Sequence, residues 1–189
     1  MHINKLHEGV YEVNDFLADE ELDAVFKLIE NTPEEKWFNQ DPAKADKNFE
    51  DFWYGKNLHL EPGTILDLVN EKMKNLLESY NWYPDRLILQ RYKKNDFINY
   101  HADDWNPDLP YYVGYGFCLY FNDDYQGGEL HYPDLDIKIK PKANSLYIHA
   151  GKVVHGSLPV LDDTIRYFTT VFVRGTKEMP TILKGDLFK

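Results

Sequence analysis

The sequence has little that would staple it covalently or bind it to polyanions. Its single cysteine, Cys118, excludes an intramolecular disulfide framework and any cysteine-rich zinc module. Basic residues are scarce: 21 Lys and Arg stand against 32 Asp and Glu, a formal net charge of −11 over 189 residues. Proteins that grip phosphate backbones use clustered cations, so nucleic acid is not an expected partner. No apolar run approaches the roughly 18 residues of a membrane span. The start, Met1-His2-Ile3-Asn4-Lys5, lacks the apolar stretch of a signal peptide. The expectation is a soluble cytoplasmic protein with no membrane partner. Internal repeats and low-complexity segments are also missing.

What is present is core-forming material, 43% hydrophobic and 15% aromatic, which suits a folded chain and not an acidic tail. Val10 to Phe16 reads as a short extended entry. A helix is predicted from about Asp19 to Asn31, with Asp19 as N-cap, Glu20 and Glu21 at the positive end of the dipole, and Leu22, Val25, Phe26 and Ile29 as its apolar stripe. A second is predicted from Thr64, where Thr64-x-x-Asp67 resembles a capping box, to about Tyr80. Residues 36–57 read as a long aromatic-studded loop with room for a short strand. After Pro84 the texture becomes β: Leu87–Tyr92, Asn99–His101, Phe117–Phe121, Glu129–Tyr132, Ile137–Ile139, Ser145–His149, Val153–His155 and Ile165–Val173 alternate with turn residues. Such a series suits a sandwich, jelly roll or barrel. The expected organisation is one domain over 1–189, α+β but mainly β, with helical support in about 1–84 and a β core in about 85–175.

His101-Ala102-Asp103 puts an imidazole and a carboxylate two residues apart, on one side of a strand, where both can grip a metal. His59-Leu60-Glu61 has the same spacing in a loop and reads as a surface pair. Downstream, His155 completes two histidines and a carboxylate, a facial triad suited to Fe(II) with open positions. Zinc with three protein ligands fits equally. His149 is a rival third ligand, although strand parity and the Gly-x-x-Pro-Val turn after His155 favour His155. Arg166 shares a strand face with Phe168, Thr170 and Phe172. A cation among inward aromatics needs an anionic partner: a metal-bound dicarboxylate, or a protein acid such as Asp162 or Asp163.

The run Gln90-Arg91-Tyr92-Lys93-Lys94-Asn95-Asp96-Phe97-Ile98-Asn99-Tyr100-His101-Ala102-Asp103 comes first, then Leu119-Tyr120-Phe121-Asn122-Asp123, Gly127-Gly128-Glu129-Leu130, His155 and Arg166. In that order these resemble the 2-oxoglutarate/Fe(II) dioxygenases of the prolyl 4-hydroxylase-like group, over about residues 85–175. The resemblance implies a double-stranded β-helix, or jelly roll, with N-terminal supporting helices. It implies an enzyme that uses Fe(II), 2-oxoglutarate and O2, with ascorbate as a further candidate cofactor, and releases succinate and CO2. It makes His101, Asp103 and His155 the metal ligands and Arg166 the partner of the distal carboxylate of 2-oxoglutarate. Tyr120 matches a tyrosine that helps hold that carboxylate, and Tyr92 is a further candidate for the same pocket. Collagen-type members carry Lys where this chain has Arg166. Gly127-Gly128-Glu129-Leu130 reads as a turn into the next strand.

The loop read over 104–116 and the segment 36–57 are the candidate walls for substrate. Their aromatics and carboxylates suit an extended peptide, a proline ring or a cationic side chain. A prolyl residue in a peptide or protein is the leading substrate, by resemblance, ahead of a free amino acid or other small molecule. Acids near 103–108 and 122–124, expected at the entrance, favour a neutral or basic substrate. Two other classes stay open: a zinc hydrolase, and a non-catalytic jelly-roll module that binds metal or a partner.

Overall fold

The computed structural model describes residues 3–39, 56–58, 62–84, 86–104 and 108–185. Fourteen strands and two α-helices are described in chain order. They are β1 (Asn4–His7), β2 (Val10–Val13), α1 (Asp19–Glu30), β3 (Phe38–Asn39), β4 (Lys56–Leu58), α2 (Ile65–Lys74), β5 (Leu77–Ser79), β6 (Ile88–Tyr92), β7 (Ile98–His101), β8 (Tyr112–Tyr120), β9 (Leu130–Tyr132), β10 (Ile137–Ile139), β11 (Ser145–Ala150), β12 (His155–Ser157), β13 (Arg166–Gly175) and β14 (Ile182–Leu183). A major sheet runs β1-β2-β11-β8-β13-β6-β4-β3, facing a minor sheet β10-β9-β12-β7, with β14 and β5 paired separately. All the strand pairs are antiparallel. This mainly β arrangement with two helices is the expected jelly roll.

Alternation along the central strands assigns their two faces. On β8, Phe117, Leu119 and the following Phe121 join Leu146, Ile148, Val171 and Val173 in one apolar cluster. Val25 and Ile29 of α1 and Leu66, Val69 and Met73 of α2 complete it, so the helices cover this outer face of the major sheet. Cys118 and Tyr120 turn the other way, into a second cluster with Tyr92, Tyr125, Tyr132, Tyr147 and Phe168 between the sheets. The parity expected of β8 and β13 is the one observed.

Several local expectations differ from the structure. The N-cap of α1 is Ala18, not Asp19; the Glu21 carboxylate accepts the Ala18 N–H at 2.8 Å and so replaces a side-chain cap. Thr64 precedes α2 without a side-chain cap bond, and Asp67 instead accepts the Gly63 N–H at 2.5 Å. α2 stops at Lys74 rather than near Tyr80, because Leu77–Ser79 pair with β14 as a strand. The segment read as a loop over 36–57 contributes β3 and most of β4, which extend the major sheet, while residues 40–55 lie outside the described residues. The loop read over 104–116 is shorter, since β8 begins at Tyr112. β1, β5 and β14 were not expected at all. Among the described residues no helix is long and apolar enough to cross a membrane.

Candidate functional site

The minor sheet sets two imidazoles side by side. His155 on β12 is the cross-strand partner of His101 on β7, and their ring centroids are 4.4 Å apart. Asp103, two residues beyond His101, turns in beneath them. Ligand atoms of His101, Asp103 and His155 all lie within 4.8 Å of one another. His59 and Glu61, the other pair with this spacing, lie outside the described residues.

The hydrogen bonds decide what these atoms present. His101 Nδ1 donates to the Asn99 carbonyl at 2.8 Å, and His155 Nδ1 donates to the Val153 carbonyl at 3.0 Å. A carbonyl only accepts, so both protons sit on Nδ1 and both Nε2 atoms offer lone pairs inward. Asp103 Oδ1 lies 3.4 Å from His101 Nε2 and 3.8 Å from His155 Nε2, buried and without a hydrogen-bond partner. Three lone pairs converging in a largely buried site repel one another unless a cation sits among them. The donor set therefore fits a divalent metal.

Electrostatics agree. Burial alone would raise the Asp103 carboxyl, but the imidazoles beside it, His149 by its hydrogen bond among them, overcome that and hold the group well below the usual carboxylate range. Burial, aided by the neighbouring His149 imidazole, pushes His155 down to about 3. A neutral imidazole is the form that binds metal. His149, the rival ligand, stands apart from the converging atoms: its Nε2 donates to Asp103 Oδ2 at 3.0 Å.

Arg166, the first residue of β13, is 1% exposed. Its Cζ lies 4.4 Å from the Tyr92 ring centroid, 4.8 Å from Phe168, 5.5 Å from Tyr120 and 5.9 Å from Tyr125. Nη1 donates to the Gly128 carbonyl and to Ser157 Oγ, both at 2.7 Å, while Nε has no partner. Neither acid proposed to pair with it does so. Asp162 accepts the Gln126 and Thr164 N–H groups, and Asp163 pairs with Lys94 at 3.5 Å. Among the described residues no carboxylate comes within ion-pair distance of Arg166. A desolvated guanidinium left this way costs several kcal/mol unless an anion joins it. Burial raises the Tyr120 hydroxyl well above its ordinary value and pushes Tyr125 up to about 12, so both stay protonated as donors.

β12 links the two halves of the site. His155 and Ser157 are two residues apart on one face of the strand, about 7 Å. One faces His101 and Asp103; the other touches Arg166. Four residues of this region escaped the sequence reading. Ser157 and Gly128 hold the guanidinium, and Gly128 with φ +65 does so from a turn that reads as purely structural. Tyr125 adds a buried, unpartnered hydroxyl. Gly116 lies beside Asp103, where a Cβ would come within 2.4 Å of Asp103 Oδ2. Reading Tyr112–Tyr120 as one strand, rather than ending a loop at 116, would have marked Gly116 as a glycine inside a strand. Asp123 and Asp124, expected at the entrance, instead line a groove of about 550 Å³ with Leu22 and Phe26 of α1, away from the His/Asp/His group.

Comparison with solved structures shows where this fold recurs. A Pseudomonas putida prolyl-4-hydroxylase aligns with a TM-score of 0.69 at 19% identity, over 88% of this chain and 92% of that one. A viral collagen prolyl hydroxylase from Paramecium bursaria Chlorella virus-1, solved with 2-oxoglutarate, gives 0.65 at 19% identity over 89% and 97%. A Trichoplax adhaerens prolyl hydroxylase, in complex with a peptide of the hypoxia inducible factor oxygen degradation domain, gives 0.69 at 18% identity over 87% and 83%. No protein-family model and no curated protein matches the sequence. The chain has the double-stranded β-helix of these hydroxylases.

Proposed function

We propose that this protein is an Fe(II)- and 2-oxoglutarate-dependent dioxygenase that hydroxylates a C–H bond, with a prolyl residue of a peptide or protein as its substrate. The observation that carries the reading is the pairing along β12. Three converging lone pairs and an arginine that meets no carboxylate among the described residues lie about two strand residues apart, a span that a five-carbon dicarboxylate bridges. A zinc hydrolase has no use for the second half of that arrangement, and a purely structural jelly roll gains nothing from either.

In this reading His101 Nε2, Asp103 Oδ1 and His155 Nε2 hold the metal, and Arg166 takes the distal carboxylate of 2-oxoglutarate in a charge-assisted pair. The bound metal and co-substrate supply the oxidation, with O2 converting 2-oxoglutarate to succinate and CO2 as one oxygen atom enters the substrate. The chain's own residues orient and shield. Ser157 and Gly128 fix the guanidinium, and the Tyr120 and Tyr125 hydroxyls are donors within its aromatic cage. Tyr92 and Phe168 stack edge to face at 4.8 Å and keep water from its flank. The prolyl assignment draws on the prolyl hydroxylases that share the fold and on the peptide held by one of them.

The test is an anaerobic Fe(II) titration with and without 2-oxoglutarate, watching for the weak visible charge-transfer band of the chelate, followed by succinate release in air. Absence of both sinks the dioxygenase reading. A peptide library screened for a mass gain of one oxygen then tests the prolyl substrate; product only from free amino acids would replace it.

A further inference from the structure

We propose that His149 is a positioning residue that aims one oxygen of Asp103 at the metal, a role that rests on the metal site inferred above. The two oxygens of this carboxylate are treated differently. Oδ2 accepts the His149 Nε2–H at 3.0 Å, and Oδ1 is left without a hydrogen bond between His101 Nε2 and His155 Nε2. A carboxylate rotates easily about its last torsion. Unrestrained, it can give both oxygens to a cation and occupy a second coordination position. The bond from His149 fixes which oxygen points inward and keeps the other out of the coordination sphere.

The donor is as rigid as the fold can make it. His149 lies within β11, flanked by Val10 on β2 and Gly116 on β8, and is 1% exposed. Its ring centroid is 3.8 Å from that of His155. Space has been kept for the bond. A Cβ on Gly116 would come within 2.4 Å of both Asp103 Oδ2 and His149 Nε2, so any larger residue there must displace one of the two. Glycine weakens a strand interior, yet it stands here at the crossing point of this hydrogen bond. His149 Nδ1 is buried without a partner. A buried imidazole that makes one hydrogen bond, to one oxygen of a metal-binding carboxylate, is there for that bond.

The experiment is a Mn(II) titration of the full chain, comparing the wild type with His149→Gln, His149→Asn and His149→Phe, alongside thermal melts. The Gln amide nitrogen can occupy the place of imidazole Nε2 and donate; Asn is too short, and Phe fills the space without a donor. The expected result is binding weakened about 10- to 100-fold in the Phe and Asn chains and largely restored in Gln. A structural role alone would not separate Gln from Asn. Should the Phe chain fail to melt cooperatively, the Gln–Asn pair decides. Equal Mn(II) affinity in Gln and Asn, or Phe within twofold of wild type, overturns the role of His149 while leaving the metal site intact. A wild type that binds no Mn(II) overturns the metal site, and this role with it.

Discussion

Two buried arginines sit on neighbouring strands of the major sheet and face opposite ways. Arg91 on β6 turns to the outer side, where Glu34 meets its Nη2 at 2.5 Å and the Trp37 ring lies 4.4 Å from its Cζ. Arg166 on β13, one position along the register, turns into the space between the sheets and meets aromatic rings, a carbonyl and a hydroxyl, with no carboxylate among the described residues. The protein evidently can pair a buried guanidinium, because it does so on one face. On the other it does not. The contrast extends beyond the two residues. Among the described residues, buried side-chain atoms of Asp103, Tyr125, Tyr132, His149 and Arg166, all between the sheets, lack a hydrogen-bond partner. The outer face supplies a carboxylate for its arginine, and the inner one, on the proposed reading, takes that charge from a ligand.

The largest effect should come from removing the centre of the inner face. Asp103→Ala deletes a proposed metal ligand, so Mn(II) affinity and 2-oxoglutarate turnover should fall by more than about 100-fold, the upper end for residues that only orient a ligand. Stability should fall far less, by about 1–3 kcal/mol, the cost of leaving the buried His149 Nε2–H without its acceptor. A large loss of stability with Mn(II) binding retained would reverse the contrast. Next, Arg166→Met should raise the 2-oxoglutarate requirement, read as KM for succinate formation. Truncating one partner of a buried charge pair costs about 2–5 kcal/mol, or roughly 30- to 5000-fold. Mn(II) affinity should hold, and the fold should be as stable or more so, because an unpaired buried cation has gone. Equal loss of metal and co-substrate binding would count against the division of labour along β12.

These arginines also show how much of the molecule was legible in the sequence. The alternation of β13 put Arg166 inside with Phe168, and the His101, Asp103 and His155 spacings picked out three candidate ligands that the structure brings together, because strand parity is local and each rule spans a few residues. The N-cap of α1 and the end of α2 were misplaced. Leu77 continues the apolar stripe of the helix, and only its pairing with Leu183, over a hundred residues away, makes it strand. Ser157, Gly128 and the His149–Asp103 bond were invisible for the same reason: each is a contact between strands that only the assembled sheets bring together. Arg91 shows the limit from the other side. Nothing local distinguishes it from Arg166, and its partner Glu34 comes from a turn 57 residues earlier.

A smaller change should separate the faces within two adjacent residues. Ile148, fully buried on the outer side of β11, precedes His149 on the inner side. Ile148→Val removes one methylene from the apolar cluster and should cost about 0.5–1.5 kcal/mol in denaturant unfolding. Mn(II) affinity and the 2-oxoglutarate KM should not move. If they do, the two faces are mechanically coupled through β11 and the division drawn here is too sharp.

The smallest effect belongs to the paired arginine. Glu34 is held down to about 2, first by its hydrogen bond from Arg91 and further by Lys56, with burial opposing. Its folded value lies below the unfolded one, about 4.3. The pair therefore stabilises the fold above that value and loses its contribution as pH falls through it toward 2. Glu34 itself faces solvent, so screening keeps the contribution small. Glu34→Gln should melt slightly below wild type at neutral pH, with the gap closing between about pH 4.3 and 2 and shrinking in high salt. A gap that persists unchanged through acid would mean that Arg91 is held by Trp37 and its strand alone. The carboxylate would then not be what distinguishes it from Arg166, and the unpaired state of Arg166 would carry less weight as a sign of an anionic ligand.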